Sequence, residues 1–220
     1  MPPEFRYSQF CALARAAEIV GERWTIPLIR ELFTGPQRFS DLRRRLPELS
    51  PSVLSERLER LGQHGVIARR RQPPPAASDV YELTEAGRAL RPALLELMRW
   101  GVRFLGLPQP SDRIEPEWLR LGFEAFARSG PSPAIAVEAG IAREHEPLRL
   151  RVVGGPGGTH VEDPGGPVDA AFVAPPLLVL GLASGRLPAA SFASDPACSW
   201  SGDRAALERF AELFDLGGAG

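Results

Sequence analysis

The chain has 220 residues, 44% of them hydrophobic and 24% charged, with a formal net charge of -1. That composition fits an ordinary globular protein of one large or two small domains, and it argues against a uniformly basic nucleic-acid coat. Every basic side chain among the 26 Lys-plus-Arg positions is Arg, which excludes a Walker-type phosphate loop and lysine Schiff-base chemistry.

The charge is divided unevenly. Residues 1–107 carry 17 Arg against 12 Asp plus Glu, a net of +5, and residues 108–220 carry 9 Arg against 15 acids, a net of -6. Such asymmetry predicts different partners for the two halves. The N-terminus "MPPEFRYSQFCALARAAEIV" lacks a basic segment followed by a long apolar core. The longest apolar stretch, "AAFVAPPLLVLGLASG", is short and broken by Pro175 and Pro176. Two cysteines, Cys11 and Cys198, are too few for a disulfide framework. These features predict a cytoplasmic protein with no membrane partner.

From residue 10 to 35, apolar positions recur at helical spacing: Leu13, Ala16, Ala17, Val20, then Trp24, Ile26, Leu28, Ile29 and Leu32. Gly21 interrupts them, which predicts two helices or one broken helix. "TGPQRF" reads as a turn. Ser40 is placed to cap a short helix, "DLRRRLPEL", which Pro47 ends. Ser50 then caps a helix with Pro51 at its first position. Val53, Leu54, Leu58 and Leu61 fall on one face, and Gly62 and Gly65 close it. "VIARRRQ" and "DVYELT" read as two strands joined by the Pro-rich "PPPAAS" (73–78). Thr84 caps a long last helix, roughly Glu85 to Leu105.

Helices followed by a hairpin and a further helix are the layout of a winged helix. The matching stretches are the Cys11 region, "GERWTIPLIRELFTGPQRFSDLRRRLPELSPSVLSERLERLGQHGVIARR", "YELTEAGRAL" and "MRWG". On these residues the first half resembles an HxlR-type winged-helix transcriptional regulator. The resemblance implies a homodimer that places one recognition helix per subunit in successive major grooves of double-stranded DNA. Within that reading, Ser50, Ser52, Ser55, Glu56, Arg57 and Arg60 belong to the helix that meets base edges, with Ser52, Ser55, Glu56 and Arg57 free near its N-terminal end. Arg69, Arg70 and Arg71 lead into the wing. They alternate in direction along a strand, so at least one is expected to reach phosphate or minor groove. Arg38, Arg43 and Arg44 are candidate phosphate clamps. Cys11 matches a position where some members carry a sensing cysteine, and Arg15, one turn on, is placed to lower its pKa.

"GLPQPSDRIEP" (106–116) reads as a linker. Beyond it come a helix candidate "PEWLRLGFEAFARS", strands "AIAVEAGI", "PLRLRVVG", "THVED" and "VDAAFVA", an apolar helix "PPLLVLGLASG" and an amphipathic helix "RAALERFAELF" opened by Asp203. "PVDAAFVAPPLLVLGLASGRLPAASFASDPACSWSGDRAALERFAEL" resembles the end of a sterol carrier protein-type domain. The pattern is a strand, an apolar helix ending in "GRL", a short link, a strand, and "GD" opening a final helix. That resemblance implies a cavity for an apolar small-molecule effector, with Phe172, Leu177, Leu178, Leu180, Leu182 and Trp200 around it.

The expected architecture is therefore mixed. A mainly α winged helix-turn-helix domain with a β-hairpin wing (1–107) is joined by a linker (108–116) to a small α+β sterol carrier-like domain (117–217). No catalytic constellation, cofactor or metal is predicted, since His64, His145 and His160 are scattered without ligand spacing. The leading expectation is a DNA-binding regulator. The rival is a small-molecule binding protein that uses the winged helix only as a dimerisation scaffold.

Overall fold

The computed structural model describes residues 6–73, 78–109 and 111–216. Residues 74–77 of the expected Pro-rich connection, Pro110 of the expected linker and Gly217 lie outside the described residues. The chain divides into two compact units, Met1–Leu94 and Leu95–Gly220. The division falls inside a helix, ahead of the segment expected as the linker.

In the first unit, α1 (Ala12–Val20) and α2 (Thr25–Leu32) are separated at Gly21. α3 (Phe39–Arg45) starts one residue before the expected Ser40 cap, and the Asp41 carboxylate accepts from the Arg38 amide at 3.3 Å. α4 (Pro51–Gln63) begins as expected: the Ser50 hydroxyl accepts from the Val53 amide at 3.4 Å and Pro51 takes the first helical position. Gly62 remains inside the helix. Gly65, at φ +67°, makes the left-handed turn that leads out of it.

The wing is a three-stranded sheet rather than a simple hairpin. β2 (Ile67–Arg71) and β3 (Asp79–Leu83) pair antiparallel, and β1 (Gln37–Arg38) adds to the free edge of β3. β1 lies in the segment expected to be only a turn. Thr84 caps α5 (Glu85–Arg88), its hydroxyl accepting from the Gly87 amide at 3.2 Å and donating to the Gly65 carbonyl at 2.5 Å. A Cβ on Gly87 would run into the Val66 carbonyl oxygen, so only glycine lets the strand and helix meet here. The expected single last helix is interrupted. α6 (Arg91–Gly101) restarts after Leu90, and a 3-10 turn covers Val102–Phe104. Pro92 has no N–H to give to the preceding turn, so the helix cannot run through it unbroken.

Leu28, Ile29, Leu32, Leu42, Leu54, Leu58 and Leu61 form the centre of this unit's interior, closed by Val66, Ile67 and Leu83. Glu31, fully buried, joins α2 to α3. It accepts from Arg30 at 2.8 Å and from Arg45 at 3.4 Å. α1 departs from expectation: Leu13 is 78% exposed, and the helix's one buried residue is Glu18.

In the second unit, α7 (Pro116–Phe126) precedes a mixed five-stranded sheet. Its strands are β4 (Ala136–Ile141), β5 (Leu148–Val153), β6 (His160–Glu162), β7 (Ala170–Ala174) and β8 (Ser199–Gly202), in the order β6-β5-β4-β7-β8. β4 and β7 are parallel and every other neighbouring pair is antiparallel. α8 (Pro176–Ala183) follows β7. The expected short link to β8 contains a further helix, α9 (Ala189–Ser194), which buries Phe192 completely. α10 (Arg204–Glu208), capped by Asp203, gives way to a 3-10 turn at Phe210–Leu213 where one continuous helix was expected.

One face of the sheet, carrying Val137, Ala139, Ile141, Leu150, Val152 and Phe172, packs against Leu119, Val179, Leu182, Leu207 and Phe210 of the helical segments. The opposite face carries ion pairs Arg149–Glu138 and Arg151–Glu162, both 2.6 Å. Gly202, at φ +95°, turns the chain from β8 into α10, and a Cβ there would strike the Asp169 carbonyl. Asp169 itself accepts from the Ala136 and Asp203 amides through side chain and backbone, both at 2.7 Å. It thereby ties the start of β4 to the end of β8.

Candidate nucleic-acid interface

α4 turns Leu54, Leu58 and Leu61 inward and leaves Ser52, Ser55, Glu56 and Glu59 exposed. The 3.6-residue period had separated these faces correctly. Arg57 is the exception. Its side chain is only 15% exposed; it pairs with Glu22 and with Glu56 (3.1 Å) and donates to the Arg23 carbonyl at 3.5 Å. Arg60 also pairs with Glu22. Both arginines therefore lie along the flank of α4 against the corner between α1 and α2, not on the free face where sequence periodicity alone puts Arg57. Glu22 was missed as a site residue, because its pairing spans 35 residues and leaves no local pattern. Ser50 is occupied as the helix cap and lies 3.1 Å from the Ser52 hydroxyl.

The wing arginines are all exposed. Arg69 and Arg71 share one side of β2 with Asp79, at 2.5 and 3.9 Å, while Arg70 pairs across with Glu82 at 2.5 Å. Asp79 and Glu82 hold the Arg69 and Arg70 guanidiniums even more firmly protonated than usual, chiefly through these hydrogen bonds. Arg38, Arg43 and Arg44 are exposed on or beside α3, and Arg44 pairs with Asp41 at 3.0 Å. Together these side chains give a surface of cations in which several already carry a carboxylate partner. Phosphate would compete with those carboxylates for the same donors.

Cys11 is exposed immediately before α1. Arg15, expected to act on it, instead donates to Glu18 at 2.8 Å. Glu18 also accepts from the Tyr7 amide at 2.8 Å; the Arg15 and Tyr7 hydrogen bonds hold its carboxyl below the usual carboxylate range. Cys198 is half-buried, and burial followed by the nearby Asp195 pushes its thiol up, away from the thiolate form that reacts.

The six residues expected around an apolar cavity do not surround one. Phe172 and Leu182 are buried in the packed interior, and Leu178 and Trp200 pack against it. Leu177 and Leu180 face outward, 52% and 38% exposed. The space between sheet and helices is filled by rings: Phe172 lies 5.1 Å from Phe192 and 5.3 Å from Phe210, edge to face. No His/Cys/Asp/Glu group able to hold a metal occurs among the described residues. Among the same residues no helix is long and apolar enough to cross a membrane.

Residues 19–108 match the family model described as HxlR-like helix-turn-helix. The chain is 37% identical over 99 residues to the uncharacterized HTH-type transcriptional regulator YvaP of Bacillus subtilis, covering 44% of this chain and 92% of that protein. It is 32% identical to the B. subtilis HTH-type transcriptional regulator YodB, covering 45% and 86%. The uncharacterized regulator Rv3095 of Mycobacterium tuberculosis is 42% identical over 98 residues, covering 44% of this chain and 61% of its own length. The solved reduced form of YodB superposes with a TM-score of 0.40 at 31% identity, covering 47% of this chain and all of that one. On the family model and the relatives YvaP and YodB, the chain belongs to the HxlR-like helix-turn-helix family of transcriptional regulators. These relatives are regulators of transcription, not enzymes.

Proposed function

We propose that the chain is a homodimeric, cytoplasmic regulator that binds operator DNA with α4 in the major groove. The observation that carries this reading is the capped N-terminal end of α4, with Ser52, Ser55 and Glu56 exposed beside one another. In helix-turn-helix proteins that end meets base edges. Arg38, Arg43, Arg44, Arg69, Arg70 and Arg71 supply phosphate contacts, which set register without reading sequence. The acidic second half is repelled by phosphate and stays off the DNA.

The dimer reading rests on apolar side chains left in solvent. Phe10 and Leu13 at α1, and Leu97, Trp100, Phe104 and Leu105 on α6 and the turn after it, are all exposed. Exposed apolar side chains of this number support association with a second copy. Two-fold symmetry would then set the two recognition helices about 34–36 Å apart, or a multiple of that. Cys11 stands between Phe10 and α1 in the chain and is exposed like Phe10 and Leu13, and its proposed role is to report oxidants or electrophiles to the dimer.

The order of elements from β7 to α10 supports the sterol carrier-type reading of the second half: strand, apolar helix, "GRL" turn, strand, and a final helix opened by Gly202 and Asp203. The apolar-effector reading finds no support in its filled interior, which also weakens the rival function of a small-molecule carrier. Titration of fluorescent duplex DNA at several salt concentrations, with sedimentation of the free protein, tests the proposal. A steep fall in affinity with salt and a dimer at micromolar concentration are expected. Salt-independent or absent duplex binding would overturn the DNA reading, and a monomer would overturn the dimer.

A further inference from the structure

We infer that Glu56 is the residue by which this protein selects a cytosine in each operator half-site, while Glu22 withholds Arg57 and Arg60 from the DNA backbone. The inference rests on the proposed entry of α4 into the major groove. Arginine is the residue most often used to read guanine, and a sequence reading alone assigns that role to Arg57. The structure gives Arg57 other partners. Its guanidinium is engaged by Glu22, by Glu56 and by the Arg23 carbonyl, and Arg60 is engaged by Glu22 as well. Glu22 follows directly on α1, so the clamp fixes α4 to the preceding corner.

The exposed polar side chains of α4 are Ser52, Ser55, Glu56, Glu59 and, at its C-terminal end, Gln63. Glu59 accepts from the Gln63 side-chain Nε2 one turn on, at 3.2 Å, and lies farther from the end that meets DNA. Glu56 is 48% exposed at its side chain. Its Oε1 accepts from Arg57, and its Oε2 meets no donor among the described residues. The Arg57 contact therefore offsets the charge of Glu56 and leaves its second carboxylate oxygen without a donor among the described residues.

A carboxylate offers the groove acceptors only. Guanine presents O6 and N7 there and thymine presents O4, so each sets lone pairs against lone pairs. Adenine presents its N6 donor next to the N7 acceptor. Cytosine presents the N4 donor with no competing acceptor at the major-groove edge. A glutamate at this position thus favours cytosine, whereas a glutamine, with a donor and an acceptor, matches the adenine N6 and N7 pair.

The test is selection of binding sites from a randomised duplex pool by the full chain and by its Glu56→Gln, Glu56→Asp and Glu22→Gln variants, each checked for fold by circular dichroism. The wild type is expected to enrich cytosine at one position per half-site, with about a five- to tenfold loss of affinity when that base is changed. Glu56→Gln shifts the preference there to adenine, and Glu56→Asp retains cytosine. Glu22→Gln keeps the cytosine and steepens the slope of log affinity against log salt by about one for each arginine that gains a phosphate. Identical preferences for wild type and Glu56→Gln, both binding DNA, would overturn the role of Glu56. An unchanged salt slope in folded Glu22→Gln would overturn the withholding of the arginines. If no folded variant enriches any duplex even at low salt, the reading of α4 as a recognition helix fails, and this inference with it.

Discussion

The two units fill their interiors in different ways. The first packs aliphatic side chains, mostly leucine, and admits a charge: Glu31 sits fully buried between two arginines. The second packs rings. Phe123, Phe172, Phe192, Phe210 and Phe214 meet with centroids 5.0 to 6.1 Å apart. Aromatic groups at these separations gain edge-to-face attraction beyond their burial, and they leave no common space for a ligand. In the first unit α1 packs Ile19 and Val20 against the core at its C-terminal end, leaves Leu13 in solvent near its start and buries a glutamate, so its free apolar surface lies at its N-terminal end. In the second, the apolar residues expected to hold a ligand are mostly spent on cohesion.

The largest expected effect tests the ring cluster. Phe172→Ala should destabilise the second unit by about 3–5 kcal/mol, the range for a fully buried aromatic ring replaced by alanine. Chemical denaturation followed by tryptophan emission, with Trp200 paired across from Phe172 in the sheet, measures it. A loss below about 1 kcal/mol would mean that the cluster is loosely packed, and would reopen the case for a cavity. Next comes the ionic clasp of the first unit. Glu31→Ala removes the acceptor from both Arg30 and Arg45 and should cost about 2–3 kcal/mol. That is below the full penalty of an orphaned buried charge, because both arginines retain some access to water. A thermal melt in which Glu31→Ala matches the wild type would show the clasp to be a surface pair in energetic terms.

The elements legible in the sequence were those whose signals are local. Ser50 with Pro51, Thr84, and Asp203 each satisfy free amides at a helix start, and that chemistry depends on residues two or three places apart. Pro92 carried an equally local signal that the expectation of one helix from Glu85 to Leu105 overlooked: its missing N–H interrupts the helix. β1 was not legible. Two residues form it, and they become a strand only because Gln37 and Arg38 meet Tyr81 and Val80. The candidate site divides in the same way. Helical period was enough to expose Ser52, Ser55 and Glu56. The retreat of Arg57 depends on Glu22, and the filled core depends on Phe192 from a link that carried no helical signal. The uniformly apolar α8 had no face to read, so its two exposed leucines could not be told from its buried ones.

Those leucines sharpen the contrast from the weak side. Leu177→Ser should change stability by no more than about 0.5 kcal/mol, as for other exposed positions. A decrease of several times that size would show that Leu177 is covered by something in solution, and size-exclusion chromatography of the variant would then reveal a change in assembly.

The weakest effect is foreseen for the segment ahead of α1, where the Glu18 carboxylate accepts from the Tyr7 amide. Phe10 is fully exposed, and the Tyr7 amide is bound by Glu18, which Arg15 also engages. These hydrogen bonds place the folded-state pKa of Glu18 below its ordinary value. A depressed carboxylate pKa means that the unfolded state takes up the proton first as pH falls. The tether's contribution is therefore complete above the ordinary carboxylate range and disappears as pH drops through the lowered folded value. Glu18→Gln can still accept from Tyr7 but loses the charge that attracts Arg15. The variant should therefore show faster exchange of the Tyr7 amide than the wild type at neutral pH. The two should converge in acid, once allowance is made for intrinsic exchange. Exchange measured by NMR across that range checks the sign. Equal protection of Tyr7 in both proteins at neutral pH would mean that the segment is held by something other than Glu18, and a difference that widens in acid would place the Glu18 pKa on the wrong side of its ordinary value.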